Sequence, residues 1–207
     1  GDALERLSKV DTIVFDKTGT LTRGMPEVTE VKTLTGDEER MLQLAAGLEV
    51  ASEHPLGRTI VAEAMLRGLE ATSSPDSVEV IKGGGIRGVV DGQLVAVGSH
   101  RVALEEGVRF PQEVASYVEV RERAGNTVVF VVIAGELAGI ISIADQIRAD
   151  AAAAIAALRE AGVKRFVMLT GDNRHTAQRV AEELGIDEVR AELLPQDKVD
   201  AVTEVKN

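Results

Sequence analysis

Strand-then-helix order begins near residue 12, breaks off, and resumes only near residue 150. "TIVF", Thr12–Phe15, is a short apolar strand closed by Asp16 and the turn "KTGT". From about Met25 to Ile140 the pattern changes. A strand is expected near Glu27–Thr33, then a helix over Glu38–Ala51 on which Met41, Leu44 and Leu48 share one face. Pro55 stands where a first helical position belongs and opens a second helix through Leu69. "SVEVIKGGGIRGVV", "GQLVAVGS" and "TVVFVVIAGELAGIISIA" then read as antiparallel strands joined by glycine-rich turns. Alternation returns with an Ala-rich helix, Asp150–Glu160, ended by Gly162. Strand "RFVMLT", helix "NRHTAQRVAEEL", a short "EVRAE" and a final helix from Pro195 follow. This order predicts an α/β fold: a doubly wound parallel sheet built from residues 1–24 and 141–207, with an inserted α+β antiparallel domain at 25–140.

Composition agrees with that frame. The 207 residues can form one large domain or two small ones. The 44% hydrophobic content comes from small aliphatics, with only 2% aromatics, which suits strands buried under helices. A net charge of −11 argues against a nucleic-acid surface, which needs clustered Lys and Arg. With no Cys, disulfides, thiolate metal sites and thiol nucleophiles are excluded, in keeping with a cytoplasmic setting. "GDALERLSK" reads as a polar helix rather than a signal peptide. The apolar run Val128–Ala144 is broken by Gly135-Glu136 and Gly139, too short and interrupted to span a membrane. The chain is therefore expected to be soluble. "AAAAIAAL" needs no reading beyond a good helix former.

Ligands of an open α/β sheet bind at the carboxyl ends of its strands, where Asp16 stands. A carboxylate there can hold Mg²⁺ or attack a phosphorus atom in line, and the turn after it offers N–H groups and hydroxyls to phosphoryl oxygens. The same Asp could equally cap a helix or solvate a turn. Two later segments weigh against that. "VMLTGDN" ends a second strand and brings Thr170, Gly171 and Asp172 to the same edge, before a helix N-terminus suited to anions. "LLPQDK" supplies Lys198, a fixed positive charge able to offset two approaching anions. Asp, Thr and Lys on three such elements form the layout of a phosphoryl-transfer site.

Across essentially its whole length the chain resembles the nucleotide-binding and phosphorylation domains of heavy-metal-transporting P-type ATPases. "DKTGTLT" matches that family's phosphorylation motif in full, and "TGD" and "PxDK" match its later motifs in order and spacing. The resemblance implies a haloacid-dehalogenase-like phosphorylation domain with the nucleotide-binding domain inserted. It implies that Asp16 takes the γ-phosphoryl of ATP, that Lys17 and Lys198 neutralise charge, and that Thr170 holds a phosphate oxygen. Mg²⁺ would rest on the Asp16 carboxylate and the Thr18 carbonyl. Phosphatases of this fold usually carry a second Asp two residues after the nucleophile. Thr18 stands there, and its hydroxyl cannot act as a general base near neutral pH. A persistent aspartyl phosphate follows, as a pump requires. A phosphatase with a cap domain is the alternative, and a nucleotide-binding regulatory module without chemistry is a third reading.

"SEHPLG", Ser52, Glu53, His54, Pro55, Leu56 and Gly57, matches the His-Pro motif of the heavy-metal class. An imidazole at a helix N-terminus feels the positive end of the dipole and is expected to stay neutral, able to stack on adenine. A lone His-Pro would read as a helix start. By the resemblance, Glu49 accepts from the adenine amino group, and Gly83, Gly85, Ile86, Gly98 and Ser99 complete the nucleotide site. Gly83, Gly85 and Gly88 fit GxGxxG spacing, a weak pattern alone and not the dinucleotide version, since no helix follows. Ser99 departs from the family's Asn. "DQIR", Asp145–Arg148, matches the family's returning hinge and could also be an ordinary helix N-terminus. His100 and His175 lack metal-ligand company and read as solvated surface, as does the acidic "AEELGIDE".

The implied partners are ATP, Mg²⁺, and the transmembrane and actuator domains of a parent pump at the cytoplasmic face of a membrane. The transported metal is expected not to bind these residues. The family's Gly-Asp-Gly-x-Asn-Asp segment is not reached by Asn207. The phosphorylation domain is thus expected to be cut short, with weakened Mg²⁺ binding, the "TIVF" strand unpaired on one side, and better nucleotide binding than turnover.

Overall fold

A computed structural model describes residues 11–206; the expected opening helix "GDALERLSK" lies outside them. The chain divides into two compact units. One takes the described residues up to Met25, Arg123–Gly125, and the chain from Asp145 onward. The other takes Pro26–Glu122 and Asn126–Ala144.

In the first unit, strand β1 (Thr12–Asp16) pairs in parallel with β8 (Arg165–Leu169), from Thr12 opposite Arg165 to Asp16 opposite Leu169. Strand β9 (Glu188–Arg190) adds in parallel on the far side of β8. The sheet order β1-β8-β9 leaves β1 at an edge among the described residues. Alternate residues of β8 enter opposite cores. Phe166 and Met168 pack with Ile155 of helix α5 (Ala151–Glu160) and Ala177 and Leu184 of α6 (Arg174–Leu184). Val167 and Leu169 pack with Val14 and with Ala201 of α7 (Pro195–Lys206). Burial on both faces explains why "FVML" has no polar alternation. Helix α6 starts where the Asn173 side chain accepts from Thr176 N–H at 2.9 Å and stops at Gly185, which is left-handed at φ 74°.

The second unit is a six-stranded sheet in the order β2-β7-β6-β5-β4-β3. Its strands are β2 (Thr22–Thr33), β3 (Asp76–Ile81), β4 (Gly85–Val90), β5 (Gln93–Gly98), β6 (Thr127–Ile133) and β7 (Glu136–Ile147). From β3 to β7 all pairings are antiparallel, as expected from the glycine-rich turns. Val129 and Val131 face a core shared with Leu42, Leu44 and Leu48 of α1 (Glu38–Glu49) and Ile60 of α2 (Pro55–Leu66). Phe130 and Val132 face the other side, with Ala103 of α3 (His100–Glu105) and Val114 of α4 (Gln112–Arg123).

Helices α3 and α4 went unread in the sequence. The first is under two turns long. The second carries three β-branched valines and a tyrosine, weak helix formers, and among its residues only Val114 is fully buried. Helix α2 ends at Leu66 rather than Leu69, because Gly68 turns left-handed at φ 71°. "DQIR" opens no helix: β7 runs through Asp145 to Ile147, and α5 begins only at Ala151. Among the described residues no helix is long and apolar enough to cross a membrane.

Candidate functional site

In the first unit, parallel pairing of β1 and β8 brings Asp16 and Leu169 level, so Thr170 leaves the sheet beside Asp16. After Asp16 the backbone makes a tight five-residue turn, with Thr18 extended and Gly19 left-handed at φ 81°. The turn folds Thr18 N–H back onto Asp16 Oδ1 at 3.2 Å. It also carries Lys17 inward, where its Nζ pairs with Asp172 Oδ2 and its side chain is largely buried. Thr170 is 2% exposed, and its hydroxyl oxygen accepts from Asp172 N–H at 3.0 Å. Its backbone is gripped on both sides, Thr170 N–H donating to Arg190 O at 3.0 Å and Thr170 O accepting from Leu193 N–H at 3.1 Å. Gly171 is exposed at the following turn.

Helix α7 delivers the remaining charge. Asp197 accepts from Leu194 N–H at 2.9 Å and fixes the start of that helix. One residue on, Lys198 Nζ reaches Asp16 Oδ1 at 3.2 Å and Oδ2 at 3.4 Å. The carboxylate thus meets one ammonium directly, while the second is held in place by Asp172. All seven residues singled out for phosphoryl chemistry lie on the two strand ends, their turns and the α7 start. His175, on α6, is exposed as expected.

Asp145 does work that the sequence did not reveal. Its carboxylate accepts from the Thr22 hydroxyl through one oxygen and from Gly24 N–H at 3.0 Å through the other. The fully buried Thr22 hydroxyl oxygen also accepts from Gly19 N–H at 3.1 Å and lies 3.3 Å from Lys17 O. This small network holds the far side of the Asp16 turn. No local pattern could have shown it, since Thr22 and Asp145 are joined only by folding.

In the second unit a cavity of about 570 Å³ opens between the start of α2 and strands β4 and β5. Glu49, Ser52, Glu53, His54, Gly85, Ile86, Gly98 and Ser99 line it. Pro55 and Gly83, also expected there, flank it in the chain instead. Its remaining wall is mainly aliphatic, including Ile60, Val97 and Val129, the usual character of a small-molecule pocket.

His54 caps α2: its Nδ1 accepts from Leu56 N–H at 3.2 Å, and its own N–H donates to Ser52 Oγ at 3.1 Å. An accepting Nδ1 leaves the ring proton on Nε2, so the geometry is that of a neutral imidazole. Glu49, the last residue of α1, is 7% exposed. Burial pushes its carboxyl up to about 7, opposed only in part by a Ser52 hydrogen bond. Gly57 makes room for it: a Cβ at Gly57 would stand 2.2 Å from Glu49 Oε2. Gly85 and Gly98 lie opposite each other across β4 and β5. A Cβ on Gly98 would meet Gly84 O at 2.6 Å, so that glycine serves strand packing as well as any ligand. Ser99 N–H donates to Gly84 O at 3.0 Å and ties the strand end to the glycine loop. His100 is exposed yet stacks on Phe110 at 4.3 Å, a contact its polar setting did not announce.

Mg²⁺ would meet an all-oxygen donor set at the Asp16 turn, the carboxylate and the Thr18 carbonyl. That set suits a hard cation that fills its other positions with water and phosphate oxygens. Among the described residues no three His, Cys, Asp or Glu side chains gather as a metal cluster.

Residues 10–207 match the family model described as haloacid dehalogenase-like hydrolase. The chain is 44% identical over 207 residues to a copper-transporting P-type ATPase of Rhizobium leguminosarum bv. viciae, covering 100% of this chain and 24% of that protein. It is 42% identical over 206 residues to a silver exporting P-type ATPase of Salmonella typhimurium, covering 99% and 25%. The chain thus spans about a quarter of the length of these curated relatives. Among solved structures, a zinc-transporting PIB-type ATPase in its E2.Pi state superimposes with a TM-score of 0.83 at 42% identity, over 99% of this chain and 32% of that one.

Proposed function

This chain belongs to the haloacid dehalogenase-like hydrolase family, and on that premise we propose that it is the catalytic portion of an ATP-driven transition-metal pump. In this reading the antiparallel unit holds ATP, with the adenine between His54 and Glu49 and the ribose and phosphates along Gly83–Ile86, Gly98 and Ser99. ATP held there is the phosphoryl donor for Asp16.

One observation carries the reading: Asp16 ends a parallel strand beside Thr170 with the Lys198 ammonium 3.2 Å from its carboxylate. A carboxylate oxygen of Asp16 forms a bond to the γ-phosphorus, the bond from that phosphorus to the β–γ bridging oxygen breaks, and ADP leaves with the electron pair. Carboxylate and polyphosphate are both anionic, so the attack needs counter-charge. Lys198 meets Asp16 directly. Lys17, fixed by Asp172, adds a second positive group behind the turn. The Thr170 hydroxyl can donate its proton to a phosphoryl oxygen, and its doubly held backbone keeps that donor in place. Mg²⁺ on Asp16 and Thr18 would supply further neutralisation of the γ-phosphate. Thr18, where a phosphatase would carry a second Asp, offers no base to activate water. The phosphoenzyme therefore persists, which favours a pump over a phosphatase. In the whole protein that phosphoenzyme would drive movement of a metal cation through membrane helices, at the cytoplasmic face of which these units would work.

The test is twofold. Calorimetric titration should show ATP bound in preference to GTP, with His54→Ala and Glu49→Ala folded but weakened about tenfold or more, the worth of one good polar contact. Radiolabelled ATP should leave an acid-stable, hydroxylamine-labile label on the full-length protein that Asp16→Asn abolishes. A folded chain that binds neither nucleotide would sink the nucleotide assignment. A label that survives Asp16→Asn would sink the nucleophile.

A further inference from the structure

We infer that Arg101 is the residue that receives the polyphosphate of the bound nucleotide, a specificity-determining contact that rests on the ATP reading above. Arg101 follows Ser99 by two residues and projects back over the glycine loop. A Cβ placed on Gly83 would stand 3.2 Å from its guanidinium nitrogen and 3.7 Å from the guanidinium carbon. Gly83 is left-handed at φ 102° and Gly84 at φ 113°. The loop therefore presents bare backbone beneath the guanidinium, and Gly84, the next residue, lines the cavity. The fork of an arginine thus stands over the glycine loop whose next residue faces the cavity.

Of the other cations near the loop, Lys82 is exposed beside Gly83 but carries a compact ammonium rather than a planar fork. Arg87 is spoken for twice, by Glu79 at 3.0 Å and by Glu106 at 3.1 Å. His100 lays its ring on Phe110. Among the described residues Arg101 has a single ion pair, with Glu105 one turn on at 3.3 Å, and its side chain is 71% exposed. A surface i,i+4 pair of this kind is weak. A polyphosphate of several negative charges outcompetes one glutamate, and guanidinium matches phosphate oxygens two at a time. In a chain of net charge −11, a cation over this loop also favours the approach of an anionic ligand. The contact discriminates by phosphate, leaving recognition of the base to Glu49 and His54.

The experiment compares ATP with adenosine on the same folded chain. Arg101→Ala should weaken ATP about tenfold, one exposed charge-assisted contact, and leave adenosine within about twofold. Arg101→Lys should recover part of the loss. Glu105→Gln, which releases the guanidinium from its tether, should bind ATP at least as well as wild type. Unchanged ATP affinity in Arg101→Ala overturns the inference and leaves the nucleotide site standing. Equal losses for ATP and adenosine overturn it too, because the arginine would then be supporting the pocket. So does a Glu105→Gln variant as weak as Arg101→Ala, since the ion pair would then be what matters. A folded wild type that binds neither ligand removes the ATP reading and this inference with it.

Discussion

At the scale of single residues, Glu49 is the group most displaced from its ordinary chemistry. Above about pH 4.5 the unfolded carboxyl is ionised, while the folded one keeps its proton up to about 7. The folded state therefore binds more protons across that window, and stability falls as pH rises through it before levelling off above. If the full shift operates, the loss is on the order of 3 kcal/mol. Glu49→Gln has no proton to lose there. Urea unfolding at pH 5 and pH 8 should show the variant gaining on wild type by most of that amount. Parallel pH dependences would mean that the carboxyl is not buried in solution as it is here. An adenine amino group donating to the same carboxylate favours its ionised form, so saturating ATP should move the wild-type slope to lower pH. Glu49 was legible in the sequence only through its place before "SEHPLG". Its burial, and the notch that Gly57 leaves for it, depend on α1 and α2 packing end against start.

At the scale of elements, the central strands β6, β7 and β8 are buried on two faces, and the packing of β7 against α1 shows how little slack that leaves. A Cβ on Gly139 would fall 2.1 Å from Met41 Sδ and 2.6 Å from Lys32 O. The methionine could swing aside, but the backbone carbonyl of β2 could not without disturbing the strand. Gly139→Ala should cost roughly 1–3 kcal/mol, the usual penalty for overpacking, read as a lower urea midpoint with unchanged slope. A variant as stable as wild type would show that β2 and β7 are not held as tightly as this. In the sequence Gly139 interrupts an apolar run and falls within an expected antiparallel strand, and β7 does continue through it to Ile147. The strands and the long helices were readable because apolar spacing is a local signal. Helices α3 and α4 were not, because their stability comes from the sheet face they cover rather than from their own residues.

At the scale of the whole molecule, the two units keep separate cores. Leu42, Ile60, Val131 and Phe130 belong to the antiparallel unit, and Ile155, Phe166, Met168 and Leu169 to the parallel one. The chain has one tyrosine, Tyr117, and no tryptophan, and Tyr117 packs in the antiparallel unit. Tyrosine fluorescence therefore reports one unit and far-ultraviolet circular dichroism both. On the proposed function, ATP at a hundred times its dissociation constant should stabilise the antiparallel unit by about 2.7 kcal/mol and raise the tyrosine-detected urea midpoint. Ile155→Ala, in the other core, should leave that midpoint in place while lowering part of the dichroism transition. Coincident shifts of both signals would mean that the units unfold as one.

The sequence by itself determined which residues are candidates for the site and the broad plan of the fold. Asp16, Thr170 and Lys198 stand out because each belongs to its own short motif, and the two-unit order is written in where strand–helix alternation stops and restarts. Those signals are local, carried within a few residues of each group. Only the tertiary structure decided what each group faces. Parallel register set Asp16 beside Thr170, and α7 swung Lys198 onto a carboxylate 182 residues away in the chain. Asp145 came to brace Thr22, Gly57 made room for Glu49, and Arg101 was laid over the glycine loop. Each of these is a contact between distant segments, fixed by packing and by the need to partner buried polar groups, and neither requirement has a period or a spacing along the chain.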